Sequence, residues 1–141
     1  MIPIRSLLAV LVLAFALTGC ASMKSSKEPG TDLSKLQTFY VQRLPADQRG
    51  IERLLSDRLN AMGYKSTSGM AEATPQDIDA VVTYQDKWMW DITMYMIQLD
   101  VQVRDPGSQV VMASATSYRP SLQRVAPDKM VEEVVNEIFK Q

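Results

Sequence analysis

The chain has 141 residues, with 15 Lys and Arg against 16 Asp and Glu, so its formal charge of −1 gives no electrostatic reason to bind nucleic acid or an acidic membrane surface. A hydrophobic share of 46% beside 22% charged residues is that of a folded domain rather than a disordered one. There is no histidine and one cysteine, Cys20, which excludes Ser-His-Asp and Cys-His catalysis, His-ligated metals, Cys-rich zinc sites and internal disulfides, and no cofactor or metal site is expected.

At the start, Arg5 precedes an unbroken apolar run from Leu7 to Leu17. Its 11 residues fit the central region of a secretory signal and fall short of the roughly 20 needed to cross a bilayer as a helix. Small residues, Thr18 and Gly19, then lead into Cys20. Leu17-Thr18-Gly19-Cys20 resembles the lipobox of bacterial lipoproteins. That resemblance implies cleavage between Gly19 and Cys20, a thioether-linked diacylglycerol on the Cys20 sulfur, and acylation of the new amine. Cysteine suits the role because its thiolate is the readiest nucleophile among side chains. Each buried methylene contributes about 0.8 kcal/mol and stable anchoring takes two chains, so such a protein is held to a membrane without spanning it. Ala21 and Ser22 follow, with no aspartate after the cysteine. In the enterobacterial sorting pattern this favours the periplasmic side of the outer membrane over retention at the inner membrane.

Residues 1–19 are thus read as a lipoprotein signal peptide and residues 20–32 as the lipidated cysteine with a flexible tether, because Ala21 to Asp32 has no apolar periodicity. Residues 33–141 are of a size for one α+β domain. Within it, Leu36 to Leu44 holds β-branched and aromatic residues up to Pro45 and reads as a strand. Ile51, Leu54, Leu55, Leu59 and Met62 keep helical spacing, with Gly63 where a C-terminal cap belongs. Tyr64 to Ser68 is a short polar strand, and Gly69 to Asp79 a loop with a helical turn after Pro75. Ala80 to Trp90 and Met94 to Arg104 are long strands; in the second, Tyr95, Ile97, Leu99, Val101 and Val103 alternate onto one face. Asp105-Pro106-Gly107-Ser108 turns the chain into a hairpin strand, Val110 to Tyr118, with Gly107 expected to take the positive dihedral. From Pro127 onward, Met130, Val131, Val134, Val135, Ile138 and Phe139 form one helical stripe. The order β-α-β-β-β-β-α predicts a mixed sheet with two helices packed on one face, which leaves the other face open to partners.

Both tryptophans lie in Tyr84-Gln85-Asp86-Lys87-Trp88-Met89-Trp90-Asp91. On a regular strand Tyr84, Asp86, Trp88 and Trp90 share a side, and Tyr95 follows closely. Two readings stand: the aromatics fill core at an open sheet end, or they form an exposed platform, with Asp86 and Asp91 at its rim, for an envelope protein or glycan. Asp86 and Asp91 as an acid/base pair for glycan hydrolysis meet an odd spacing that points them apart. Met89, Met94, Met96 and Met112 are read as packing residues rather than as a thioether site for cuprous ion.

Asp32-Leu33-Ser34-Lys35-Leu36-Gln37-Thr38-Phe39, Gly63-Tyr64, Asp79-Ala80-Val81-Val82-Thr83-Tyr84 and the Val-rich final helix are similar to a family of small bacterial lipoproteins defined only by a domain of unknown function. The resemblance implies an envelope lipoprotein with a mixed α+β sheet and transfers no catalytic residue. The expectation is therefore a non-enzymatic accessory or binding module of the cell envelope, anchored through Cys20, touching an envelope protein or peptidoglycan through Tyr84, Asp86, Trp88, Trp90, Asp91 and Tyr95. Its rival is a carboxylate-dependent enzyme acting on cell-wall glycan.

Overall fold

The architecture is taken from a computed structural model that describes residues 19–140. The expected signal segment up to Thr18, with its apolar run, and the final Gln141 lie outside the described residues. Six strands form one mixed sheet: β1 (Ser22–Lys27), β2 (Thr38–Gln42), β3 (Lys65–Gly69), β4 (Ala80–Asp91), β5 (Thr93–Arg104) and β6 (Val111–Tyr118). The helices are α1 (Ile51–Ala61), between β2 and β3, and α2 (Pro127–Phe139), after β6. Across the sheet the strands run β1-β6-β5-β4-β2-β3. The β2–β3 and β2–β4 pairs are parallel, and the others antiparallel. Among the described residues no helix is long and apolar enough to cross a membrane.

Both helices lie on one face, as the two apolar stripes require. α1 buries Ile51, Leu55 and Leu59, one per turn, and α2 buries Met130, Val131, Val134, Val135 and Ile138. Against them the sheet sets Phe39, Val41, Val82, Tyr84, Leu99, Val101 and Val103. On β6 the inward positions are small, Ala113, Ala115 and Ser117, which lets α2 approach closely. At the end of α1, Gly63 adopts φ of 95°, a left-handed turn that a side chain would resist.

The structure departs from the sequence reading at four places. Residues 22–27, expected within a flexible tether, add a strand to the edge of β6, pairing Ser22 with Tyr118 through Lys27 with Ala113. Only Met23 packs against the core, so no periodicity marks this strand, and its Ser and Lys residues suit an exposed edge. Next, Ile97 has no partner on β4, because Lys87 pairs with Gln98 while Trp88 pairs with Met96. This bulge shifts the parity of β5, so Met96 joins Leu99 on the core face and Tyr95 turns to the opposite one. Finally, the helical turn between β3 and β4 is at Ala71–Ala73, ahead of Pro75, and Gln109 rather than Gly107 takes the positive φ in the β5–β6 connection.

Candidate functional site

The strand carrying both tryptophans changes character along its length. Tyr84 is 2% exposed and belongs to the core. Its hydroxyl donates to Asp47 Oδ2 at 2.6 Å and accepts from the Leu44 N–H at 3.3 Å. Asp47 in turn accepts the backbone N–H groups of Arg49 at 2.7 Å and Gly50 at 3.1 Å through Oδ1, and of Ile51 at 2.9 Å through Oδ2. Those donors open α1, where N–H groups have no partner within the helix. Burial pushes the Asp47 carboxyl up, but the bonds from Tyr84, Arg49 and Ile51 outweigh it and hold the group below the ordinary aspartate value. The Tyr84 hydroxyl is driven far above its ordinary value, first by burial and then by the bond to Asp47. Tyr84 is therefore a strut between β4 and α1, and its expected place on a contact platform is corrected.

Tyr95 is also buried, and the Arg124 guanidinium lies 4.8 Å from its ring centre. It leaves the platform as well, because the bulge turns it away from Trp88. Trp88 is half-buried: its edge packs on the core, its Nε1 donates to Asp86 Oδ2 at 2.6 Å, and Arg49 stacks 4.2 Å from its ring centre. Of the proposed aromatics, Trp90 alone stands in solvent, 71% exposed. Asp86 and Asp91 fall on opposite faces; Asp91 contacts the Ser121 hydroxyl and pairs with Arg124 at 3.9 Å. The four methionines separate likewise, Met96 in the core and Met89 on the other face.

What the sequence reading missed lies on the face of the sheet opposite the helices. There a groove of about 520 Å³ has polar residues Gln42, Gln85, Asp100, Gln102 and Arg104 on one side and an apolar wall of Leu44, Pro45 and Ala71. Outward alternation from three adjacent strands brings them together: Gln85 pairs with Asp100, and Gln102 with Thr83. Arg104 is held by Thr83 Oγ1 at 3.1 Å, by the Gln109 carbonyl at 2.9 Å and by Gln102 Oε1. Asp100 accepts from Thr116 Oγ1 at 2.5 Å and Gln98 Nε2 at 2.7 Å. The result is a fixed set of amide, carboxylate and guanidinium groups beside an apolar wall, which suits a ligand that offers both hydrogen-bonding groups and apolar surface. Its only trace in the sequence is the polar half of the alternation in β5.

No family model and no curated protein matches the chain in sequence. In fold it is similar to PelC of Paraburkholderia phytofirmans, solved as a dodecamer, with a TM-score of 0.58 at 13% identity over 85% of this chain and 95% of that one. It is also similar to a DUF4136 family protein of Bacteroides thetaiotaomicron, with a TM-score of 0.51 at 12% identity over 88% of this chain and 96% of that one. A third likeness is to a PDZ domain protein of Parabacteroides distasonis, with a TM-score of 0.52 at 10% identity, covering 95% of this chain and 39% of that one. These likenesses show the fold, the mixed α+β sheet with one helix-covered face, and one of them is to a member of a family named for a domain of unknown function.

Proposed function

We propose that the chain is a lipoprotein of the bacterial envelope, lipidated at Cys20 and held at the periplasmic side of the outer membrane, whose domain is a non-enzymatic binding module. The observation that carries this reading is positional. Cys20 is exposed and stands two residues before β1, directly after the lipobox-like sequence, so acyl chains on it would hold one end of the sheet against the membrane with almost no slack. The groove lies along the sheet away from that end, since Arg104 pairs with Val81 while β1 begins beside Tyr118 and Gln98. A glycan or peptide of the envelope, with apolar surface between its hydrogen-bonding groups, is the kind of ligand such a groove would take. The rival glycan-cleaving reading needs converging carboxylates, and the placement of Asp86 and Asp91 on opposite faces favours the module.

Replacing Cys20 by Ser in the full chain is expected to abolish the lipid mass and release the protein from the membrane fraction; a variant that still fractionates with membranes at the normal mass overturns the anchor. Purified protein incubated with peptidoglycan is expected to be retained without releasing fragments, and Gln85→Ala to weaken that retention. Released fragments would instead establish an enzyme.

A further inference from the structure

Most of the large apolar side chains that the described domain exposes gather at the Cys20 end. Trp90 is 71% exposed, Ile92 83% and Leu122 91%, with Met89 and Met94 about half exposed beside them. Register explains how they meet. Ser22 pairs with Tyr118, Tyr118 with Gln98, and Gln98 with Lys87, so the β4–β5 tip projects past the sheet on the side where the N-terminal segment enters. The tip extends three to five residues beyond that line, about 10–15 Å at the strand rise.

The three segments are bonded into one unit. The Ala21 N–H donates to Gln123 Oε1 at 2.8 Å. From the same connection, Ser121 contacts Asp91 and Arg124 donates to Thr93 Oγ1 at 2.8 Å. The start of the described chain, the loop carrying Leu122 and the hairpin tip therefore move together. At the tip, Ile92 takes φ of 64°, a left-handed conformation that a β-branched residue adopts only under strain, and holds its side chain in solvent. Ile92 is the one residue between β4 and β5, so the turn that gives it this φ also sets its side chain at the far end of the apolar cluster.

We propose that this end of the domain is a membrane seat, in which Trp90, Ile92 and Leu122 dip into the headgroup region of the bilayer beside the Cys20 anchor. The occupant follows from where the chain leads. Cys20, the proposed lipid attachment, is exposed two residues before β1 at this end, so acyl chains on it bring the bilayer here. Tryptophan favours the interface between hydrocarbon and water. The inference deepens the anchored reading and rests on it for the approach of this end to a membrane. The seat also sets orientation: two contacts, the anchor and a tip three strands away across the sheet, stop the domain from tumbling about a single attachment point and aim its groove at the periplasm.

The test uses the full protein isolated from membranes and reconstituted in phosphatidylethanolamine–phosphatidylglycerol vesicles, with bromine on the acyl chains of one set. Brominated lipid is expected to quench Trp90's share of the tryptophan emission. Trp90→Phe, which leaves only Trp88, is expected to lose that quenching, and Ile92→Asp to reduce it while circular dichroism stays native. Equal emission in both vesicle sets, or quenching retained in Trp90→Phe, overturns the seat. The mass of the same preparation reads the anchor separately. Lipid on Cys20 without quenching sinks the seat alone, and quenching without that lipid sinks the anchor alone.

Discussion

The two halves of β4 belong to one regular strand and have opposite fates. From Ala80 to Tyr84 four of the five residues are buried; from Met89 to Asp91 all are exposed. Tyr84 and Trp90 lie on the same side of the strand, six residues apart, yet one is 2% exposed and the other 71%. The difference is what lies above them. α1 and its leading loop cover the first half and supply Asp47 as a partner, while the second half runs beyond the helices. Strand periodicity tells which residues share a face, and only the neighbouring layer tells whether that face is dry.

Truncation should separate the halves most sharply. Tyr84→Ala is expected to cost about 3–5 kcal/mol, because it empties core volume and strands the Asp47 carboxylate, whereas Trp90→Ala should change stability by less than about 0.5 kcal/mol. Urea denaturation of both variants checks this; comparable losses would mean that Trp90 is core and that the contrast is false.

A smaller effect comes through pH. Asp47, held low by Tyr84 and the α1 backbone despite its burial, and Asp79, held low by the Gln37 and Thr38 N–H groups, both have folded values beneath the ordinary 3.8. The unfolded chain then binds more protons in this range, so their stabilisation is complete above about pH 4 and is lost as pH falls through the folded values. Asp47→Asn should cost about 1–2 kcal/mol at pH 7, and its urea midpoint should fall less between pH 5 and pH 3 than that of the parent. An unchanged slope would remove Asp47 from the account.

The smallest effect lies at the boundary between the halves. Arg49→Ala removes the guanidinium over Trp88 and should cost about 0.5–1 kcal/mol while shifting Trp88 emission to the red. No spectral change would mean that the stack does not shield Trp88 in solution.

Much of the fold was legible along the chain. The stripes Ile51, Leu55, Leu59 and Met130 to Ile138 announce two one-sided helices, Gly63 closes the first, and Val81-Val82 and Leu99 to Val103 announce sheet. β1 was not legible, since an edge strand with one core contact needs β6 beside it before its backbone has a partner. Of the site residues, the sharing of a face by Asp86, Trp88 and Trp90 could be read from spacing, and so could the divergence of Asp91. The burial of Tyr84 could not, because its partner Asp47 lies 37 residues away. Tyr95 depended on a single extra residue, Ile97, that no local pattern marks.

By itself the sequence determined the element types, the core stripes and the run of small and apolar residues up to Cys20, since each depends on neighbours within a few positions. Tertiary structure alone decided which aromatics are wet, where the groove forms and which segments join Cys20 at one end. Those outcomes depend on strand register and on which layer covers which half of a strand, and such contacts close only when distant parts of the chain meet.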